Sequence, residues 1–101
     1  MKTIDEHVLM KRLGKLRSVG NLRREGSKSA AANQFILEYE NGSAFKSYES
    51  LIAVRLNDGH LFLTKKHDFS GTTKKYATLW TGYSTKERAK GLEDETITLI
   101  V

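Results

Sequence analysis

Between Asn33 and Leu63 the apolar residues recur at every second position, and two turn pairs break the alternation, Asn41-Gly42 and Asp58-Gly59. A period of two puts successive side chains on opposite faces of a strand. Asn-Gly and Asp-Gly supply the positive φ that a two-residue hairpin turn requires. Phe35, Leu37 and Tyr39 share one face, and a turn at Asn41-Gly42 sets Tyr39 opposite Ala44 and Phe35 opposite Tyr48. A turn at Asp58-Gly59 likewise sets Leu56 opposite Leu61 and Val54 opposite Leu63. Turn and pattern agree in both hairpins. The rest of the chain must therefore cover a sheet.

Ahead of the hairpins, Thr3 and Glu6 match a capping box, and Ile4, Val8, Leu9, Leu13 and Leu16 follow at helical spacing. The spacing predicts an amphipathic helix over 4–17, weakened at Gly14 by about 1 kcal/mol relative to alanine. Residues 18–32 are rich in glycine, serine and arginine and read as a basic loop. After the hairpins, Asp68-Phe69-Ser70-Gly71-Thr72-Thr73 reads as a loop running into a helix, with a small hydroxyl residue as N-cap. On that helix Thr72, Tyr76, Leu79, Trp80 and Tyr83 fall on one stripe, expected against the sheet, while Lys74, Thr78 and Thr81 face away. A second capping box, Ser84 to Glu87, opens a short helix with Gly91 as its stop. Thr96–Val101 is β-branched and alternating, a last strand returning to the sheet. The order α-β-β-β-β-α-α-β describes a single α+β domain with helices on one face of a largely antiparallel sheet.

The net charge of +5 is unevenly placed. Residues 1–30 hold eight basic groups (Lys2, Lys11, Arg12, Lys15, Arg17, Arg23, Arg24 and Lys28) against Asp5, Glu6 and Glu25, whereas residues 31–101 balance. Such asymmetry points to a polyanion or an acidic protein surface as partner. A second anion site is conceivable at Ser70-Gly71-Thr72-Thr73-Lys74-Lys75, where first-turn amides, hydroxyls and lysines meet. If adjacent, the two stretches make one anion-binding face.

Chemistry is harder to find. There is no cysteine, so disulfides, thiolate metal sites and cysteine nucleophiles are excluded. His60 and His67, beside Asp58 and Asp68, lack metal-ligand spacing and read as solvent-facing, so no metal is expected. Ser70 near His67 lacks the G-x-S-x-G elbow, and no Walker pattern surrounds Lys74. Glu93-Asp94-Glu95 is simplest as a solvated turn. No enzymatic activity and no cofactor are expected. No run of eighteen apolar residues and no signal-peptide h-region appear, so no membrane partner and a cytoplasmic setting are expected.

Phe45-Lys46-Ser47-Tyr48-Glu49-Ser50-Leu51-Ile52-Ala53-Val54, then Asp58-Gly59, Leu63-Thr64, and Asp68-Phe69-Ser70-Gly71-Thr72-Thr73-Lys74-Lys75-Tyr76 together resemble a family of small uncharacterised bacteriophage and prophage proteins. Their pattern is S-Y-x-[ST]-x-[IV]-A, a D-G turn, and [YF]-S-x-T-T-x-K at a helix start. The likeness implies phage origin and a bacterial host cell, and it carries no activity. Three readings follow. The first is a non-enzymatic protein binding nucleic acid or nucleoprotein through the basic N-terminal face. The second is a phage-encoded inhibitor docking on a host defence or regulatory protein, and the third is a nucleotide- or phosphate-binding module at Ser70–Lys75.

Overall fold

A computed structural model of the chain describes residues 1–23 and 30–101. They form a seven-stranded mixed sheet and three α-helices, an α+β arrangement. The strands are β1 (Thr3–Ile4), β2 (Leu16–Arg23), β3 (Ala30–Tyr39), β4 (Gly42–Ser47), β5 (Ser50–Leu56), β6 (Leu61–Leu63) and β7 (Thr98–Ile100). The helices are α1 (Glu6–Leu13), α2 (Gly71–Thr81) and α3 (Thr85–Glu93), with a 3-10 turn at Lys65–Asp68. The strand order is β1-β7-β6-β5-β4-β3-β2, antiparallel from β2 to β6 and parallel where β7 lies between β6 and β1. The last strand is thus internal to the sheet.

Helices cover both faces, not one. Successive residues of the central strands enter opposite cores, except at the β4–β5 register shift, where Ile52 and Ala53 enter the same one. Phe45, Ala53, Leu61, Leu63 and Leu99 pack with Ala77 of α2 and Leu92 of α3. Their neighbours Ala44, Val54, Phe62 and Ile100 pack with Leu9 and Leu13 of α1. Strands buried on both faces read as continuous apolar runs, which is the character of Leu61-Phe62-Leu63.

The N-terminal expectation fails in an instructive way. Ile4 is β-branched and pairs in parallel with Ile100, so the helix starts later. Asp5, not Thr3, is the N-cap, its carboxylate accepting from the Val8 amide at 3.2 Å. Gly14, at φ 77°, then ends the helix, and Leu16 belongs to β2. Most of the expected basic loop is a hairpin arm, because Val19, Gly20 and Asn21 pair with Leu37, Ile36 and Phe35 of β3. Its strand conformation comes from long-range backbone hydrogen bonds that local composition does not announce. Residues 24–29 of that expected loop lie outside the described residues.

Both hairpins form with a shifted register. Tyr39 faces Gly42, Leu37 faces Ala44 and Phe35 faces Lys46, so the turn centres on Glu40-Asn41. Gly42 is needed as a strand residue, since a Cβ there would run into the Arg55 carbonyl and Leu13. In the second hairpin Arg55 faces Leu61 and Val54 faces Phe62. Gly59 at φ 91° donates to the Leu56 carbonyl at 2.9 Å, while Leu56 donates to the His60 carbonyl at 3.1 Å. That is a three-residue turn closed by a left-handed glycine, and the extra residue changes the parity of the pairing.

Two helix expectations also shift. α2 buries Thr73, Ala77 and Thr81 and half-buries Tyr76 and Trp80, whereas Thr72, Leu79 and Tyr83 are exposed. Trp80 stacks on Phe45 with ring centroids 6.1 Å apart, and that contact sets the rotation of the helix. The Ser84–Glu87 capping box forms as expected. Gly91 does not stop α3 but sits inside it, where a Cβ would strike Ile97.

Candidate nucleic-acid interface

Strand direction divides the predicted anion-binding residues between two ends of the sheet. At one end the Glu40-Asn41 turn meets the C-terminus of α1. Asn41 donates to the Arg12 carbonyl at 2.9 Å, and the Lys15 amide donates to the Glu40 carboxylate at 2.7 Å. Lys11 and Arg12 occupy the last turn of α1, where cations favour the helix dipole. Arg17 follows in β2 near this end, since its neighbour Leu16 faces Tyr39.

The opposite end gathers other segments. Ser47 pairs with Ser50 across the Tyr48-Glu49 turn and with Gln34 of β3, and Arg23 pairs with Ala30 farther out in the same direction. β6 also finishes here, because Leu63 faces Ala53 and Thr64 donates to the Leu51 carbonyl at 2.7 Å. The 3-10 turn and the start of α2 follow directly. Arg23 therefore shares an end with Ser70–Lys75, while Lys11, Arg12 and Lys15 do not. Arg24 and Lys28 lie outside the described residues. Among the described residues, Lys11, Arg12 and Lys15 do not form one face with residues 70–75, because α1 and α2 cover opposite faces and the cations of α1 sit at the far end.

Within Ser70–Lys75 the hydroxyls are unequal. Ser70 Oγ accepts from the Thr73 amide at 3.1 Å and donates to Thr73 Oγ1 at 3.0 Å. Thr73 is buried, its Oγ1 lying 3.4 Å from Ser47 Oγ. These two residues cap the helix and fasten it to β4. Thr72, Lys74 and Lys75 are exposed. Lys75 Nζ lies 5.5 Å from the Tyr76 ring centroid.

Next to this helix start is a cleft of about 280 Å³ lined by Tyr48, Ser50, Ile52, Lys66, Phe69 and Ser70 among others. Phe69 is 82 % exposed and Tyr48 58 %. Tyr48 holds φ 55°, with its amide donating to the Asn33 carbonyl at 2.6 Å. Lys66 Nζ donates to Ser50 Oγ at 3.1 Å across the rim. A second cleft of about 520 Å³ shares Ser50 and Lys66 and adds Lys46 and Lys65, with Glu6 and Glu49 opposite.

A family model matches residues 15–96, from the start of β2 past the end of α3. The chain belongs to DUF8033, a family of unknown function. The DUF8033 match contains the whole 280 Å³ cleft and leaves out β1, α1 and β7. Comparison with curated proteins and with solved structures gave no match. No helix among the described residues is long and apolar enough to cross a membrane.

Against the 3-10 turn that carries Lys66, this DUF8033 chain holds the one charged side chain that is buried among the described residues. Arg88 of α3 is fully buried and donates to His67 Nδ1, the His67 carbonyl, Thr78 Oγ1, the Tyr83 carbonyl and Thr85 Oγ1. All five acceptors are neutral. Burial lowers the pKa of His67, with Asp68 pulling up and Arg88 pushing down. Burial also lowers that of Arg88, opposed by Asp68. The network ties the 3-10 turn, α2 and α3 together, and so fixes the wall that carries Lys66 and Phe69. His67 is therefore buried, not solvent-facing, and His60 is half-buried with Nε2 2.8 Å from Thr98 Oγ1. Sequence reasoning missed Phe69, Lys65, Lys66 and Arg88. The available signal was Phe69 itself, an aromatic that belongs to neither periodic pattern.

Proposed function

We propose that the chain is a non-enzymatic nucleic-acid-binding protein that uses the end of the sheet holding the Tyr48-Glu49 turn and the start of α2. One observation carries the reading. Lys46, Lys65, Lys66, Lys74 and Lys75, from three separate segments, gather at that end against Glu6, Glu49 and Asp68. Segments distant in sequence supply an excess of positive charge to one surface, the arrangement that follows a phosphate backbone. Arg23 is brought to the same end by the β2–β3 pairing. A phage-infected or prophage-bearing bacterial cytoplasm is the setting that the sequence resemblance suggests, and it forms part of the same proposal.

Titrating a labelled nucleic acid at several salt concentrations tests this reading. Affinity is expected to fall steeply as salt rises, and Lys65→Ala with Lys66→Ala to weaken binding and flatten the salt dependence by about one to two phosphates' worth. Absence of binding to mixed DNA and RNA at low salt would end it.

A second reading, a phage-encoded inhibitor acting by protein contact, draws on a different feature. β2 is an eight-residue edge strand with Leu16 and Val19 exposed, and strand edges of this kind accept a partner's backbone. Capture of a host protein from nuclease-treated lysate, abolished by a proline at Val19, is its test. A nucleotide module at Ser70–Lys75 draws less support, because Ser70 and Thr73 spend their hydroxyls on each other and on Ser47.

A further inference from the structure

Two aromatic rings line the 280 Å³ cleft beside α2 without serving the core. Phe69 follows directly on the 3-10 turn and precedes the N-cap Ser70, and its ring is left almost entirely to solvent. Tyr48 occupies a left-handed position at φ 55°, where glycine or asparagine is the easy choice. Neither turn geometry nor packing asks for a ring at either place. Strain held at an exposed, large side chain is a feature of binding sites. Between the rings the floor is apolar at Ile52, and the rim is polar at Ser50, Ser70 and Lys66. The volume is at the lower edge for small-molecule sites, about right for one flat ring system.

From this combination we infer that the cleft takes an unpaired nucleobase against Phe69 and Tyr48, with Lys66 beside the adjoining phosphate, so that the chain prefers single strands to duplex. The inference rests on the nucleic-acid reading above and names its ligand. Every base offers a π-face, so stacking here is tolerant of sequence. A base held within a duplex is not free to enter. Lys46 and Lys65 line the adjoining cleft and Lys74 follows Thr73 of this one, so lysines continue the path for the backbone.

The experiment compares three labelled probes of equal length by fluorescence anisotropy: oligothymidylate, an abasic phosphodiester strand, and a duplex. Oligothymidylate is expected to bind about tenfold more tightly than the abasic strand. Phe69→Ala is expected to bring the ratio of oligothymidylate to abasic affinity down to about one, and Phe69→Tyr to restore it. Equal binding of oligothymidylate and the abasic strand overturns base stacking while leaving the electrostatic reading in place. No binding of any probe brings down both. If Phe69→Ala instead dissolves a self-associated species in sedimentation velocity and leaves oligothymidylate affinity untouched, the patch is a contact between copies and the inference fails.

Discussion

Arg88 Nε donates to His67 Nδ1 at 3.1 Å, in a fully buried position where the guanidinium pairs with no carboxylate among the described residues. The bond requires Nδ1 to be without a proton. A protonated His67 would lose the acceptor and face a second cation. Burial lowers the pKa of His67, and Arg88 pushes in the same direction against the pull of Asp68.

Stability should consequently fall on the acid side. The folded-state pKa of His67 lies below its unfolded value, so the unfolded chain binds the proton more readily. The stabilisation is complete above the unfolded value and is lost as pH falls through the folded one. Thermal melts from neutral to mildly acidic pH are expected to show a declining Tm. His67→Gln, whose amide oxygen still accepts from Arg88, should flatten that decline. An equally steep decline in the variant would detach it from His67.

Removing Arg88 should be severe. Arg88→Met leaves five acceptors without their donor, two of them, both on His67, in buried bonds. A loss of about 3 kcal/mol or more is expected from urea midpoints. Arg88→Lys recovers little, because an ammonium cannot reproduce the planar fork.

Gln34 presents the opposite case. It is completely buried across from Ser47, and among the described residues neither amide atom has a hydrogen-bond partner. Gln34→Met keeps the length and removes the unsatisfied amide. Chemical denaturation should show a gain of about 1 kcal/mol.

At Tyr48 stability and binding should part. Tyr48→Gly relieves the positive φ and should stabilise by about 1 kcal/mol. The same change removes one of the two cleft aromatics, so oligothymidylate affinity should drop as Tm rises. A change in which both move together would mean that the ring matters only to folding.

The parts of the fold legible in sequence were those settled by local chemistry. Ser70 and Ser84 cap their helices as their hydroxyls predict, and Asp58-Gly59 does turn. Register was less legible, because one additional turn residue, Asn57, distinguishes a two-residue from a three-residue turn and moves Leu61 from Leu56 to Arg55. β2 was hidden because Ser18, Gly20 and Asn21 are poor strand formers, held by pairing with β3. As for the candidate site, Ser70 to Lys75 was visible as a hydroxyl-and-lysine helix start. Its relation to Lys46, Lys66 and Tyr48 was not, since only the sheet topology brings those segments to one end. Lys11, Arg12 and Lys15 dominated the charge count and turned out to sit at the other.

Amide chemical shifts of the isotope-labelled protein titrated with oligothymidylate locate the binding surface residue by residue. Perturbations are expected at Lys46–Leu51 and Thr64–Lys75, including Tyr48 and Phe69, with Lys11–Arg17 unmoved. Perturbations confined to Lys11–Arg17, or none at saturating oligonucleotide and low salt, would rule out binding at the Tyr48–Phe69 cleft.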